Sequence, residues 1–70
     1  MKQIIIWTIP DCPECERIKA MFPEAEVRDL QPIMDGAEKD MEVITQLAIQ
    51  NMAAPVVRVG EDFIRPRDLI

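Results

Sequence analysis

The sequence predicts a small α/β fold, with one domain over residues 1–70 and a mixed four-stranded sheet in the element order β-α-β-α-β-β. Its length leaves room for a single domain. Its 49% hydrophobic and 30% charged residues are typical of a globular chain. Short β-branched runs also alternate with segments of helical periodicity, which predicts strands that are linked by helices.

The first three elements follow from apolar residues and prolines. Ile4–Thr8 is almost continuously apolar, which predicts a central strand covered on both faces. Pro13 suits the first turn of a helix, and apolar residues then recur at helical spacing until Pro23. Residues 25–30 alternate charged and apolar side chains, so we expect a more exposed strand towards one edge of the sheet.

A second helix is expected to begin at Asp35, because Asp35 and Glu38 resemble a capping box. The apolar residues that follow recur at helical spacing and are predicted to face the core, while the polar residues between them face water. The predicted core stripe comprises Met41, Ile44, Leu47, Ala48 and Met52. The predicted water-facing residues are Glu38, Asp40, Glu42, Gln46 and Gln50.

The last two strands are predicted to form a hairpin. Residues 56–59 and 63–65 are rich in strand-forming side chains and flank Gly60 and Glu61. A leading glycine suits a tight type II′ turn. A strand-helix-strand unit followed by a hairpin predicts a mixed sheet with helices on both faces. This pattern is typical of a minimal thioredoxin-like fold.

Composition excludes several function classes. Thirteen acidic residues against eight basic ones give a net charge of -5, which disfavours nucleic acid and anionic lipid as partners. The chain has no histidine, which excludes Cys–His catalytic pairs and the usual zinc ligand sets. No apolar stretch approaches the roughly 20 residues of a membrane span and no signal peptide is evident, so we expect a cytoplasmic protein.

The spacing of Cys12 and Cys15 is the most informative motif. Residues three apart on a helix share one face, and a disulfide fits when the first of them caps the helix. Unpaired backbone N–H groups at the cap favour the thiolate, so Cys12 is expected to be the attacking sulfur. Cys15, one turn deeper, would resolve the mixed disulfide. Pro13 is expected to stiffen the turn.

Three other interpretations of the cysteines stay open. A structural disulfide is one, although so short a ring restrains the unfolded chain little. A zinc site is the second, although two thiolates would need a dimer or carboxylate ligands to complete four-coordination. Two buried, inert cysteines are the third, and the prolines and acidic residues around Cys12 disfavour it by placing that residue in a surface turn. We expect no metal.

Nearly the whole chain resembles the glutaredoxins. The likeness is carried by Ile-Ile-Trp-Thr at 5–8, Cys-Pro-Glu-Cys at 12–15 and Ala-Pro-Val-Val at 54–57. The ending Phe-Ile-Arg-Pro-Arg-Asp at 63–68 is similar, with an extra arginine, to that of the small glutaredoxin-like redoxins that reduce ribonucleotide reductase.

The resemblance implies a small dithiol–disulfide oxidoreductase, an enzyme and electron carrier that reduces protein disulfides. Cys12 would be its nucleophile and Cys15 its resolving thiol. The Ala54–Pro55 bond would be the cis-proline peptide beside the active site, and Ala54, Pro55 and Arg65 would bind substrate. Thioredoxin reductase or glutathione would supply electrons, with no tightly bound cofactor, and the client would be an oxidised protein such as ribonucleotide reductase.

The sequence departs from the glutaredoxin pattern in two ways. Asp11 and Glu14 place negative charge beside the cysteines and are expected to raise the pKa of the Cys12 thiol. A less stable thiolate makes a dithiol more reducing, so we expect a reducing donor. The charge also opposes the carboxylates of glutathione. In addition, only residues 66–70 follow the last predicted strand, so the family's third helix is expected to be missing or vestigial.

A different class of function competes with electron transfer. The chain would then be a thioredoxin-fold binding module without redox turnover, which holds a partner in the groove at Pro55 or on an exposed sheet face. A bare sheet face would also favour a weak homodimer. Cluster or metal carriage by such a dimer through Cys12 is the remaining option.

Overall fold

The computed structural model describes residues 2–69 and confirms a small α/β architecture. The order of elements matches the predicted one, apart from an additional short helix before the long second one and a 3₁₀ turn at the end. No helix in residues 2–69 is long and apolar enough to cross a bilayer. The elements are β1 Ile4–Thr8, α1 Pro13–Met21, β2 Glu26–Asp29, α2 Gln31–Met34, α3 Met41–Ile49, β3 Val56–Val59, β4 Asp62–Ile64 and a 3₁₀ turn at Pro66–Asp68.

The four strands form one mixed sheet in the order β2-β1-β3-β4. β1 pairs in parallel with β2 and antiparallel with β3, and β3 and β4 form an antiparallel hairpin. The apolar β1 is therefore central, as predicted, and the charged β2 lies at an edge with all of its residues exposed. Since the parallel β1–α1–β2 unit comes first, the turn into α1 follows the carboxyl end of the central strand.

Alternate side chains of β1 divide the core into two clusters on opposite faces of the sheet. The larger one, here the α3 cluster, receives side chains from α2 and α3; the smaller one, the α1 cluster, receives Ile18 from α1. The α3 cluster comprises Ile5, Trp7, Leu30, Ile33, Val43, Leu47 and Val56. The α1 cluster comprises Ile6, Ile18 and Val57. Helices therefore cover both faces, as predicted.

The end of the chain partly covers the smaller face. Beyond β4, the described residues form only a 3₁₀ turn over Pro66–Asp68. Leu69 is half-buried and packs against the rim of the α1 cluster, where Phe22 also packs. The described residues that follow β4 therefore contribute a 3₁₀ turn and the Leu69 side chain to this face, and Ile70 lies outside the described residues.

The predicted start of the second helix at Asp35 is wrong. Asp35 is instead the C-cap residue of α2, and its carboxylate accepts a hydrogen bond from the Gln31 side chain at 2.9 Å. Gly36 then takes a φ of 82°, which ends that helix. α3 starts after Asp40, whose Oδ1 accepts the Val43 N–H at 3.3 Å. The acidic residue that caps the long helix is therefore Asp40 and not Asp35.

The predicted apolar stripe of the second helix is also partly wrong. The buried face of α3 carries Val43, Gln46 and Leu47. Met41 and Met52, assigned to the core, are 69% and 55% exposed, and Ala48 is exposed as well. The buried side of α3 is therefore the one that carries Val43 and Leu47, and Met41 and Ala48 lie on another side.

The C-terminal hairpin agrees with the prediction at its turn. Gly60 has a φ of 63° and Glu61 does not share the left-handed conformation, as in a type II′ turn. The Arg58 side chain also donates to the Gly60 carbonyl at 2.8 Å. In β4, Phe63 stacks on Trp7 with ring centroids 6.1 Å apart, which ties the hairpin to the central strand.

Candidate active site

The turn between β1 and α1 places a cysteine at the start of the helix. Asp11 has a φ of 55°, a left-handed conformation that aspartate tolerates better than most residues. Cys12 is then extended, with φ -118° and ψ 99°, and is the N-cap residue of α1. Pro13 is the first helical residue, where its missing N–H costs nothing.

Cys12 and Cys15 are joined in a disulfide, with 5.2 Å between their Cα atoms. This distance lies in the usual range for the bond. The two cysteines differ in exposure: Cys15 is 1% exposed, whereas Cys12 is half-buried. A reactant in solution therefore reaches Cys12 and not Cys15.

The Cys12 sulfur takes the place of a capping oxygen. It accepts a hydrogen bond from the backbone N–H of Cys15 at 3.1 Å, and the Cys12 carbonyl accepts the N–H of Glu16 at 3.2 Å. After reduction, this N–H and the positive end of the helix dipole would stabilise a thiolate at Cys12. The two effects favour Cys12 over Cys15 as the ionised sulfur.

Acidic side chains surround the disulfide, as the sequence indicates. Glu14 is half-buried between the two cysteines, and Asp11 is exposed before them. Neither forms an ion pair with any of residues 2–69, whereas Glu16 pairs with Lys19 at 2.9 Å. Asp11 and Glu14 are therefore the acids next to the cysteines in the chain that form no ion pair within the described residues.

An open cleft of about 210 Å³ lies beside Glu14, the residue between the two cysteines, although neither Cys12 nor Cys15 lines it. It brings together three residues that the sequence singled out, Glu14, Ala54 and Arg65, although they lie far apart in the chain. Asp11 is not among its lining residues. The cleft is lined by Glu14, Ile49, Gln50, Asn51, Ala53, Ala54, Arg65, Pro66 and Arg67.

The segment before β3 forms one wall of this cleft. The Ala54–Pro55 peptide bond is cis, as the resemblance implied. Pro55 is fully buried and Ala54 is half-buried. Neither the N–H nor the C=O of Ala54 forms a hydrogen bond with a group in residues 2–69. The wall therefore presents a free backbone donor and acceptor.

Two arginines also line the cleft. Arg65 is exposed, and its Nε bonds the Asp68 carboxylate at 3.2 Å. Arg67 lines the same cleft and pairs with no acid within residues 2–69. The cleft is therefore lined by two positive side chains as well as by the half-buried Glu14. A carboxylate of a bound substrate would find its partners here.

Sequence reasoning missed two residues of this region, Gln46 and Gln50. Both were expected to face water. Gln46 is only 7% exposed, and Gln50 is half-buried and lines the cleft. Polar residues at helical spacing predict a water-facing side. The spacing does not show that the hydrogen-bond partners of Gln46 and Gln50 lie in the chain after the helix.

Within residues 2–69, no group of three or more His, Cys, Asp or Glu side chains is placed to hold a metal ion. No protein-family model, curated protein or solved structure matches the chain.

Proposed function

We propose that this chain is a small dithiol–disulfide oxidoreductase that reduces disulfides in client proteins, as the small glutaredoxin-like redoxins do. One observation carries the proposal: the half-exposed sulfur of Cys12 caps α1 and is bonded to the buried Cys15. An accessible, ionisable sulfur with a shielded partner is what reversible thiol–disulfide exchange requires.

The first half-reaction charges the protein with electrons. Two electrons and two protons from a reductant convert the Cys12–Cys15 disulfide into a dithiol. Thioredoxin reductase or glutathione would supply them, and no bound cofactor is needed. Cys12 then loses its proton to become the thiolate that the α1 N-terminus stabilises.

The second half-reaction transfers these two electrons to the client disulfide. The Cys12 thiolate attacks one sulfur of the client disulfide, forms a mixed disulfide and releases the other client sulfur as a thiolate. Cys15 passes its proton to the released client thiolate. The resulting Cys15 thiolate attacks the Cys12 sulfur, which breaks the mixed disulfide and releases the second client sulfur as a thiolate that is protonated from solvent. The client gains two electrons and the Cys12–Cys15 bond is restored.

The surroundings of the disulfide support a reducing role. Charge at Asp11 and Glu14 opposes a negative sulfur, which destabilises the dithiol form relative to the disulfide. The protein would therefore pass electrons on more readily than it would oxidise a client. An oxidised enzyme of reductive metabolism in the cytoplasm, such as ribonucleotide reductase, is the kind of client this implies.

The cleft supports binding of an extended protein segment. The free N–H and C=O of Ala54 would pair with client backbone as an added strand pairs with a sheet edge. Arg65 would receive an acidic group of that segment. The strand order and the position of the cysteine turn are compatible with a thioredoxin-like fold, in which this arrangement would be expected.

The proposal is tested by turnover of a protein disulfide. Reduction of insulin is followed with thioredoxin reductase and NADPH, and separately with glutathione. Wild type is expected to turn over, Cys12→Ser to fall to background, and Cys15→Ser to accumulate a mixed disulfide without resolving it. Turnover that survives in Cys12→Ser would refute the assigned nucleophile.

A folded wild-type protein that is inert with both reductants would refute the oxidoreductase proposal as a whole. The binding-module interpretation would then account for the free backbone groups of Ala54 and for the exposed apolar residues. Light scattering at several concentrations would show whether the partner is a second copy.

A further inference from the structure

We infer that Gln50, oriented by Gln46, is a positioning residue that holds the wall of the cleft ready for a client backbone. The inference rests on the proposed function and names residues that act on substrate binding. The Gln50 side-chain N–H₂ group donates to the Ala53 carbonyl at 2.8 Å and to the Pro55 carbonyl at 3.0 Å. One amide thus bonds the residues on both sides of Ala54.

Gln46 fixes which way the Gln50 amide faces. Its own N–H₂ group donates to Oε1 of Gln50 at 2.9 Å. Oε1 is therefore the accepting end of Gln50, and both donors are left for the wall. If the Gln50 amide were reversed, its oxygen would face the carbonyl oxygens of Ala53 and Pro55. Its N–H₂ group would then face the N–H₂ group of Gln46.

Gln46 is buried enough for this bond to matter. Among the described residues, Gln46 is the one polar residue that is buried, and it is 7% exposed. A buried amide whose bond is lost pays the cost of desolvation without compensation. Loss of the Gln46–Gln50 bond therefore costs more free energy than loss of a bond between two exposed side chains.

The chain between α3 and the wall needs such support. Asn51 and Met52 have φ values of 56° and 62°, and two consecutive non-glycine residues in this region carry a conformational cost. The Met52 N–H returns to the Leu47 carbonyl at 2.7 Å. This bond anchors the start of the connection, and Gln50 anchors its end.

The bonds of Gln50 are distributed so that the middle of the wall stays free. The carbonyls of Ala53 and Pro55 are occupied, whereas the N–H and C=O of Ala54 have no partner in residues 2–69. A client strand would meet a donor and an acceptor that are already fixed in place. Fixing them in advance lowers the entropic cost of binding.

We call the bonds from Gln46 to Gln50, and from Gln50 to the carbonyls of Ala53 and Pro55, the relay. Two substitutions disturb the relay without changing the size of a side chain. Gln50→Glu sets a carboxylate against the carbonyls of Ala53 and Pro55. Gln46→Glu removes the donor to Gln50 and favours the reversed amide, although residue 46 does not line the cleft. Gln31→Glu is the matched control, since the Gln31 side chain makes one exposed bond, to Asp35, on α2.

The experiment measures KM and kcat for insulin reduction, together with the rate at which reduced Cys12 attacks a small aromatic disulfide. We expect both relay variants to raise KM for insulin about tenfold, because a wall that is not fixed in advance must be ordered when the client binds. Their kcat and their rate with the small disulfide should stay within about twofold of wild type. Gln31→Glu should leave every value unchanged.

Several outcomes overturn the inference. An unchanged KM in folded variants refutes positioning, and an equal fall in the insulin and small-disulfide rates shows a general structural defect instead. If wild type itself reduces no protein disulfide, the proposed function fails first and this inference falls with it. Wild-type turnover with unchanged variants rejects the relay alone.

A measurement on the wild type covers the case in which neither relay variant folds. Proton exchange at the Gln50 side-chain amide is followed by NMR. The relay requires slower exchange there than at the exposed Gln31 amide. Equal exchange rates at the two amides would overturn the relay.

Discussion

The two long helices start with nearly the same backbone but use different atoms as caps. Cys12 has φ -118° and ψ 99°, and Asp40 has φ -132° and ψ 99°. Each side chain accepts the N–H of the residue three positions on, at 3.1 Å from Cys15 and at 3.3 Å from Val43. Oxygen is the usual acceptor at this position, and sulfur is a weak one.

The difference separates α3, which has an ordinary oxygen cap, from α1, whose cap is the cysteine sulfur that the proposed function uses. The cap of α3 adds stability to a helix that packs Val43 and Leu47 into the larger cluster. The cap of α1 is a weaker acceptor, and under the proposed function it places the attacking sulfur at the N-terminus of the helix. α1 contributes only Ile18 to the buried part of the smaller cluster.

The largest expected effect lies in the body of α3. Leu47→Ala removes a side chain that is 1% exposed, and should lower the free energy of unfolding by about 2–5 kcal/mol. Urea unfolding measures this loss. The reactivity of Cys12 in the remaining folded protein should not change, and a change would show that the packing of Leu47 also affects the cysteine turn.

Reduction of the disulfide should cost less than that. The bond closes a ring of only residues 12–15, so chain entropy predicts a loss of about 2 kcal/mol. Urea unfolding is compared with and without reductant, and Cys15→Ser, which has no disulfide, serves as the control. A loss above about 4 kcal/mol would favour a structural disulfide over a catalytic one.

Removing the oxygen cap should cost less again. Asp40→Ala leaves the Val43 N–H without its side-chain acceptor and should lower the free energy of unfolding by about 1 kcal/mol. Asp40→Asn keeps an acceptor and is the matched control. Equal losses in the two variants would mean that the charge of Asp40, and not its cap bond, stabilises α3.

The smallest expected effect is at the sulfur cap. Glu14→Gln removes a negative charge beside Cys12, which favours the thiolate and should raise the alkylation rate of the reduced protein about two- to fivefold. Iodoacetamide labelling below the pKa of the thiol measures it. Glu24→Gln, beyond the other end of α1, should have no effect, and high salt should shrink the difference.

The cysteine turn was predictable because its signals are local. Pro13 fixes the first helical residue, so the residue before it must be the cap. The same reasoning failed at Asp35, because Asp35 and Asp40 both precede segments that can be helical. The choice between them is made by α2, which uses Asp35 at its own end.

The wall of the cleft was only half predictable. The resemblance pointed to Ala54 and Pro55, but polar residues on a helix are assigned to water by default. Gln46 and Gln50 turn inward because carbonyls three to five residues beyond Gln50 need donors. That need arises from the path of the loop, which helical periodicity does not describe.

The buried Trp7 provides an intrinsic fluorescence probe of unfolding. The chain has one tryptophan and no tyrosine, so its near-ultraviolet emission comes from a single ring that is 2% exposed. Phe63 lies on that ring and the Arg28 guanidinium lies 5.7 Å from its centre. Emission will therefore shift when the hairpin or the edge strand detaches, and unfolding can be followed without an attached dye.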